Sequence, residues 1–178
     1  MSEVLRWLRR AHAGELGAAL AYRGHARSVR DAGERARILR ILGEELAHRA
    51  EAAALLTARG ATGDRQLARW VARLGRIAGI ACRCTGHWAP MLGAAIAEAI
   101  NVGEYRRLGA AARAAGDGEA LDFARRSQRL EAEHARWFAA CAERHGGVGA
   151  AIAQWSIRDL ADPAVPVRLA ATPVAVGR

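Results

Sequence analysis

Glu45-Leu-Ala-His48 places a carboxylate and an imidazole three residues apart within a run of strong helix formers. On a helix such residues lie one above the other, about 4.5 Å apart along the axis, so both can reach one metal ion. The apolar stripe of this helix is Ile38, Leu42, Ala52 and Leu55, and Glu45 and His48 interrupt it at its centre. Glu131-Ala-Glu-His134 interrupts a second stripe, of Ala124, Phe138 and Cys141, in the same way. A single Glu-x-x-His is common on solvated helices. Two of them, each on the apolar face of a long helix, point to a shared buried site.

Two further long helical segments complete the pattern. Glu15 sits among Ala11, Ala18 and Tyr22, and Glu98 among Ala94, Ala95, Val102 and Tyr105. Each Glu is followed seven residues later by a Tyr, on nearly the same face. The two Glu positions are 30 residues apart in the first half (Glu15, Glu45) and 33 in the second (Glu98, Glu131), as in a duplicated helical hairpin. Tyr22 and Tyr105 suit either core packing or hydrogen bonding to the acids. Four carboxylates converging in an apolar core would repel one another and be costly to desolvate. Two divalent cations remove that conflict. Carboxylate oxygen with imidazole nitrogen suits iron or manganese, and no thiolate set for zinc is present.

One Glu from each of two helices plus Glu-x-x-His from the other two is the donor set of ferritin-like di-iron carboxylate bundles. The expected fold is therefore all-α: a ferritin-like four-helix bundle with a connecting helix and a short C-terminal helix. Glu15, Glu45 and His48 are expected on one ion, and Glu98, Glu131 and His134 on the other, with Glu45 and Glu131 bridging.

Breakers at Asp31-Ala-Gly33, Gly60-Ala-Thr-Gly63, Gly86 to Pro90, Gly116-Asp-Gly118 and Gly146-Gly147 divide the chain. They predict helices over Ser2–Arg30, Glu34–Arg59, Asp64–Cys84, Ala89–Ala115, Glu119–His145 and Gly149–Leu160. Residues 1–161 would form one bundle domain with its closing helix, and residues 162–178, with three Pro, an extended mobile tail.

A length of 178 residues suits one domain, and a hydrophobic fraction of 52% excludes a disordered chain. Three Cys exclude a disulfide scaffold and suggest reduced thiols. The net charge is +9 and every cation is Arg, which permits attraction to an anionic surface. No uncharged apolar stretch of about 18 residues exists, and no apolar leader follows Met1 to Arg10. The expectation is a cytoplasmic protein, soluble or peripheral on the inner membrane.

The sequence resembles the demethoxyubiquinone hydroxylase family over about Leu5 to Leu160. His12-Ala-Gly-Glu15-Leu-Gly-Ala18 with Tyr22 and Gly24 is similar to the first-helix signature of that family. Glu45-Leu-Ala-His48, Ala97-Glu98-Ala-Ile100 with Tyr105, and Glu131-Ala-Glu-His134 resemble its other ligand motifs, and Gly149 to Leu160 its closing helix. The resemblance implies two bound iron ions, dioxygen as oxidant, a quinone-like hydrophobic substrate, and reduced nicotinamide or another external electron donor. It leaves His12 outside the ligand set. The chain departs from the family at Glu104, where a His is usual, and in a connecting segment made basic by Arg69, Arg73, Arg76 and Arg83.

In that segment Arg65, Arg69, Arg73, Arg76 and Arg83 share one helical side, and Leu67, Trp70, Val71, Leu74 and Ile77 the other. Such a helix suits an anionic membrane interface, or a solvated face outside the bundle. Cys82 and Cys84 read as ordinary thiols, and His25, His87 and His145 as surface residues. Gly14, Gly17, Gly93, Ala94 and Ala95 are small and would leave room for a flat substrate or for close helix packing. Other readings are a di-iron oxygenase acting on another hydrophobic substrate, or rubrerythrin- or bacterioferritin-like iron oxidation or peroxide reduction. Dispersed Arg gives no specific nucleic-acid site, and a homo-oligomer is compatible with the sequence.

Overall fold

A computed structural model describes residues 2–146. The closing helix expected at Gly149–Leu160 and the tail from Asp162 lie outside the described residues. The described chain is all-α, with helices α1 (Glu3–Ser28), α2 (Ala32–Ala58), α3 (Arg65–Ala81), α4 (Trp88–Ala114) and α5 (Gly118–Gly146). The first three helices each start at a side-chain cap. Ser2 Oγ accepts from the Leu5 amide at 3.2 Å, Asp31 Oδ1 from Glu34 at 2.7 Å, and Asp64 Oδ1 from Gln66 and Leu67 at 2.9 Å. Gly60 and Gly116 stop α2 and α4 with φ of 63° and 67°, a region that favours glycine. Arg59 then bridges the end of α2 to Asp117 in the α4–α5 turn, Nε to Oδ2, at 2.8 Å.

α1 pairs with α2 and α4 with α5, and the two hairpins face each other through α1 against α4 and α2 against α5. Their apolar stripes make two clusters, one at each end of the bundle. Tyr22, Ile38, Met91 and Phe138 belong to one, and Leu8, Leu56, Leu108 and Phe123 to the other. The charged interruptions of the stripes lie between them.

α3 packs outside α1. Ala72, Gly75 and Gly79 are its buried residues, while Trp70, Leu74, Ile77 and Ile80 remain exposed, from 46% for Leu74 to 64% for Ile80. The reason is backbone approach. A Cβ at Gly24 would come within 2.3 Å of Gly79 Cα, and one at Gly75 within 2.1 Å of the Gly17 carbonyl oxygen. Only glycine allows α1 and α3 to lie this close, and that contact turns the bulky side chains outward. No described helix is long and apolar enough to cross a membrane.

Candidate metal centre

Glu15, Glu45, His48, Glu98, Glu131 and His134 project inward from α1, α2, α4 and α5, and all six are buried. They fall into two groups that could each hold a metal ion, with donor atoms within 4.8 Å of one another. Glu15, Glu45, His48 and Glu131 form one group; Glu45, Glu98, Glu131 and His134 form the other. Glu45 and Glu131 belong to both. His48 Nδ1 lies 3.0 Å from Glu131 Oε1 and 4.0 Å from both Glu15 Oε1 and Glu45 Oε2. His134 Nδ1 lies 3.2 Å from Glu45 Oε1 and 3.9 Å from both Glu98 Oε1 and Glu131 Oε2.

The donor atoms fit cations. Glu15 Oε2, both oxygens of Glu45 and of Glu131, His48 Nδ1 and His134 Nδ1 are buried without a hydrogen-bond partner. So many orphaned polar atoms in a packed interior would be strongly destabilising unless something compensates them. Divalent ions compensate all of them together.

The electrostatics agree. Burial, then the neighbouring Glu45, push the Glu15 carboxyl well above its ordinary range. Burial and Glu98 push Glu45 up to about 8. Burial, then Glu45, Glu98 and Glu15, raise Glu131. Burial and the nearby His134 lower His48 to about 4. Crowding thus favours the protonated forms of Glu15, Glu45 and Glu131 and the neutral form of His48, so metal entry would displace protons.

Both tyrosines hydrogen-bond across the bundle. The Tyr22 hydroxyl donates to Glu98 Oε1, and the Tyr105 hydroxyl to Glu15 Oε1. Each hairpin therefore fixes the lone Glu of the other. Two partners escaped the sequence reading. Glu44 Oε2 lies 2.8 Å from His134 Nε2, so it orients that ring and leaves Nδ1 facing the centre. Asn101 Nδ2 donates to Glu98 Oε2 at 3.2 Å. Glu44 adjoins Glu45, and Asn101 lies one turn beyond Glu98, but nothing in the spacing says that their side chains reach these atoms.

Other assignments sort clearly. The His12 ring belongs to neither group and lies against Gly63, where a Cβ would come within 2.5 Å of Nδ1. His25 was expected at the surface and is instead buried, because α1 turns it toward Phe138 inside the bundle end. His87 is half-buried and His145 is exposed. Cys82 and Cys84 are free thiols.

An apolar cavity of about 540 Å³ lies between α1, α3 and α4. Gly14, Gly17, Ala18, Val71, Gly93 and Ala94 line it together with Tyr22, whose hydroxyl donates to Glu98. Its size and lining are those of a small-molecule site. No model of a known protein family matches the chain, and no curated protein is significantly similar to it.

Proposed function

We propose that this chain is a ferritin-like di-iron monooxygenase that hydroxylates a quinone-type ring, in the manner of the demethoxyubiquinone hydroxylases it resembles. One observation carries the proposal: two carboxylate–imidazole groups share Glu45 and Glu131, and Tyr22, hydrogen-bonded to Glu98 of one group, lines an apolar cavity. Two iron ions, with manganese as the alternative, would supply the redox chemistry that activates dioxygen. Glu15, Glu45 and His48 with Glu131 would hold one ion, and Glu98 and His134 with the two shared acids the other.

The remaining work falls to the side chains. Glycine and alanine walls accept a flat ring and exclude water. Tyr22 holds the Glu98 carboxylate in place and lines the cavity. Tyr105 does the same for Glu15, and Glu44 fixes the His134 ring. The net reaction converts a ring C–H and dioxygen to C–OH and water, consuming two electrons and two protons. The electrons come from reduced nicotinamide or another external donor. The exposed Trp70, Leu74, Ile77 and Ile80 flank the cavity beside exposed Arg69, Arg73 and Arg76. That combination suits peripheral contact with an anionic bilayer, from which a prenylated substrate would enter.

The test is direct. The protein is loaded with Fe(II) without oxygen and mixed with a demethoxyquinone and reductant, and oxygen is then admitted. A product heavier by one oxygen atom, carrying label from ¹⁸O₂, is expected. Bound iron without product across several quinones would overturn the quinone assignment. Rapid iron oxidation that ignores substrate would instead favour iron handling of the rubrerythrin or bacterioferritin kind. A second substrate reading has its own support: Glu104, where the resembling family has His, is ion-paired to Arg10 beside Tyr105. A charged pair there favours a di-iron oxygenase acting on a different hydrophobic substrate.

A further inference from the structure

Glu34, His87 and His145 meet at one end of the bundle, from the start of α2, the turn before α4 and the last turn of α5. Glu34 Oε2 lies 3.0 Å from His87 Nε2, and Glu34 Oε1 lies 3.2 Å from His145 Nε2. Two ligands held at ordinary Zn–N and Zn–O distances are about 3.0–3.4 Å apart, so these spacings are those of neighbours on one ion. Glu34 Oε2 and His87 Nε2 are buried, and neither makes a hydrogen bond despite their proximity. His25 adds a buried, unpartnered Nε2 from α1 and lies close enough to His87 and Glu34 to sense their charge.

The register supports a designed layer. Glu34 to Glu45, His87 to Glu98 and His134 to His145 are each eleven residues, three helical turns or about 16 Å along the bundle. α2, α5 and the segment running from the turn before α4 into α4 therefore carry the pattern twice: once as Glu45, Glu98 and His134, and once as Glu34, His87 and His145. We propose that this end of the bundle is a separate mononuclear site for a borderline divalent cation of the Zn²⁺ class, held by Glu34, His87 and His145. Imidazole with one carboxylate suits such an ion, and three protein ligands leave a position for water. The bound ion would clasp α2, α4 and α5 together. Arg144 opposes it: Nη2 donates to Glu34 Oε1 at 3.0 Å, and the guanidinium also donates to the Ala140 carbonyl and to Cys141 Sγ, although the side chain is 54% exposed.

The test uses the full chain and Zn²⁺ alone, with metal content and affinity read by metal analysis and calorimetry. Wild type should bind one more equivalent than His87→Ala or His145→Ala, while Glu45→Ala should retain that equivalent. Zn²⁺ should raise the thermal midpoint of wild type by more than that of His145→Ala. Arg144→Gln should tighten the site by about tenfold, because a competing charged hydrogen bond is removed. His145 is exposed and its replacement spares the core, so it decides the matter if His87→Ala fails to fold. Equal Zn²⁺ content in wild type and His145→Ala, or wild-type binding at this site only above about 1 mM, would overturn the proposal.

Discussion

In the first hairpin the imidazole donor, His48, rests edge-on against Tyr105 and Phe123, with ring centroids 5.8 and 6.4 Å away. In the second, His134 gives its outer nitrogen to Glu44, which lies 3.9 Å from Arg37. The ligand motifs are the same, and the tyrosines exchange symmetrically. The bracing of the two histidines is not symmetric. A carboxylate behind an imidazole fixes its tautomer and raises its basicity, whereas aromatic edges fix only its position. The two donor groups are thus unequal despite the same residue types, and Asn101, on Glu98 alone, adds to the difference.

The largest effect should come from the shared acids. Glu45→Ala or Glu131→Ala should abolish binding of both ions, while His48→Ala or His134→Ala should sharply reduce iron content by emptying one position first. Iron analysis of reconstituted protein checks this, and unchanged content in Glu45→Ala or His134→Ala counts against the centre. Glu44→Gln sharpens the comparison. It should weaken metal affinity by about 10–100-fold at the His134 position and leave the His48 position near wild type. Equal weakening of both would erase the asymmetry.

Tyr22→Phe and Tyr105→Phe each strip a hydrogen bond from a buried acid. Each should cost about 1–3 kcal/mol in chemical denaturation of the loaded protein, with the larger cost at Tyr105→Phe, because Glu98 keeps its bond from Asn101 when Tyr22 is replaced. The smallest effect concerns pH. Glu45 titrates near 8 in the fold against 4.5 ordinarily, so the metal-free fold binds extra protons between those values. Its stability contribution is therefore present at low pH and lost as pH rises through 8. His48, lowered to about 4 from 6.5, acts oppositely and removes stability as pH falls through that window. Thermal midpoints of metal-free protein should fall on both sides, and bound metal should flatten the alkaline fall. A flat profile without metal would mean that the acids are not crowded as described.

Helical spacing made much of the centre legible. Glu45 with His48 and Glu131 with His134 share faces because one turn takes 3.6 residues, and that holds wherever the helix goes. The caps Ser2, Asp31 and Asp64 likewise start α1, α2 and α3 through local hydrogen bonds. α3 shows where such spacing stops being informative. Hydrophobicity marked Trp70, Leu74 and Ile77 as an apolar side, but the docking face was chosen by backbone contact of Gly75 and Gly79 with α1.

The sequence by itself determined an all-α chain and which acids and histidines share a helical face, because both follow from neighbours within a few residues. The tertiary structure alone decided that Tyr22 reaches Glu98, that Glu44 backs His134, that His25 is buried, and that Glu34 meets His87 and His145. Those contacts depend on how each helix is rotated and how closely its neighbour approaches, which no spacing along a single helix encodes.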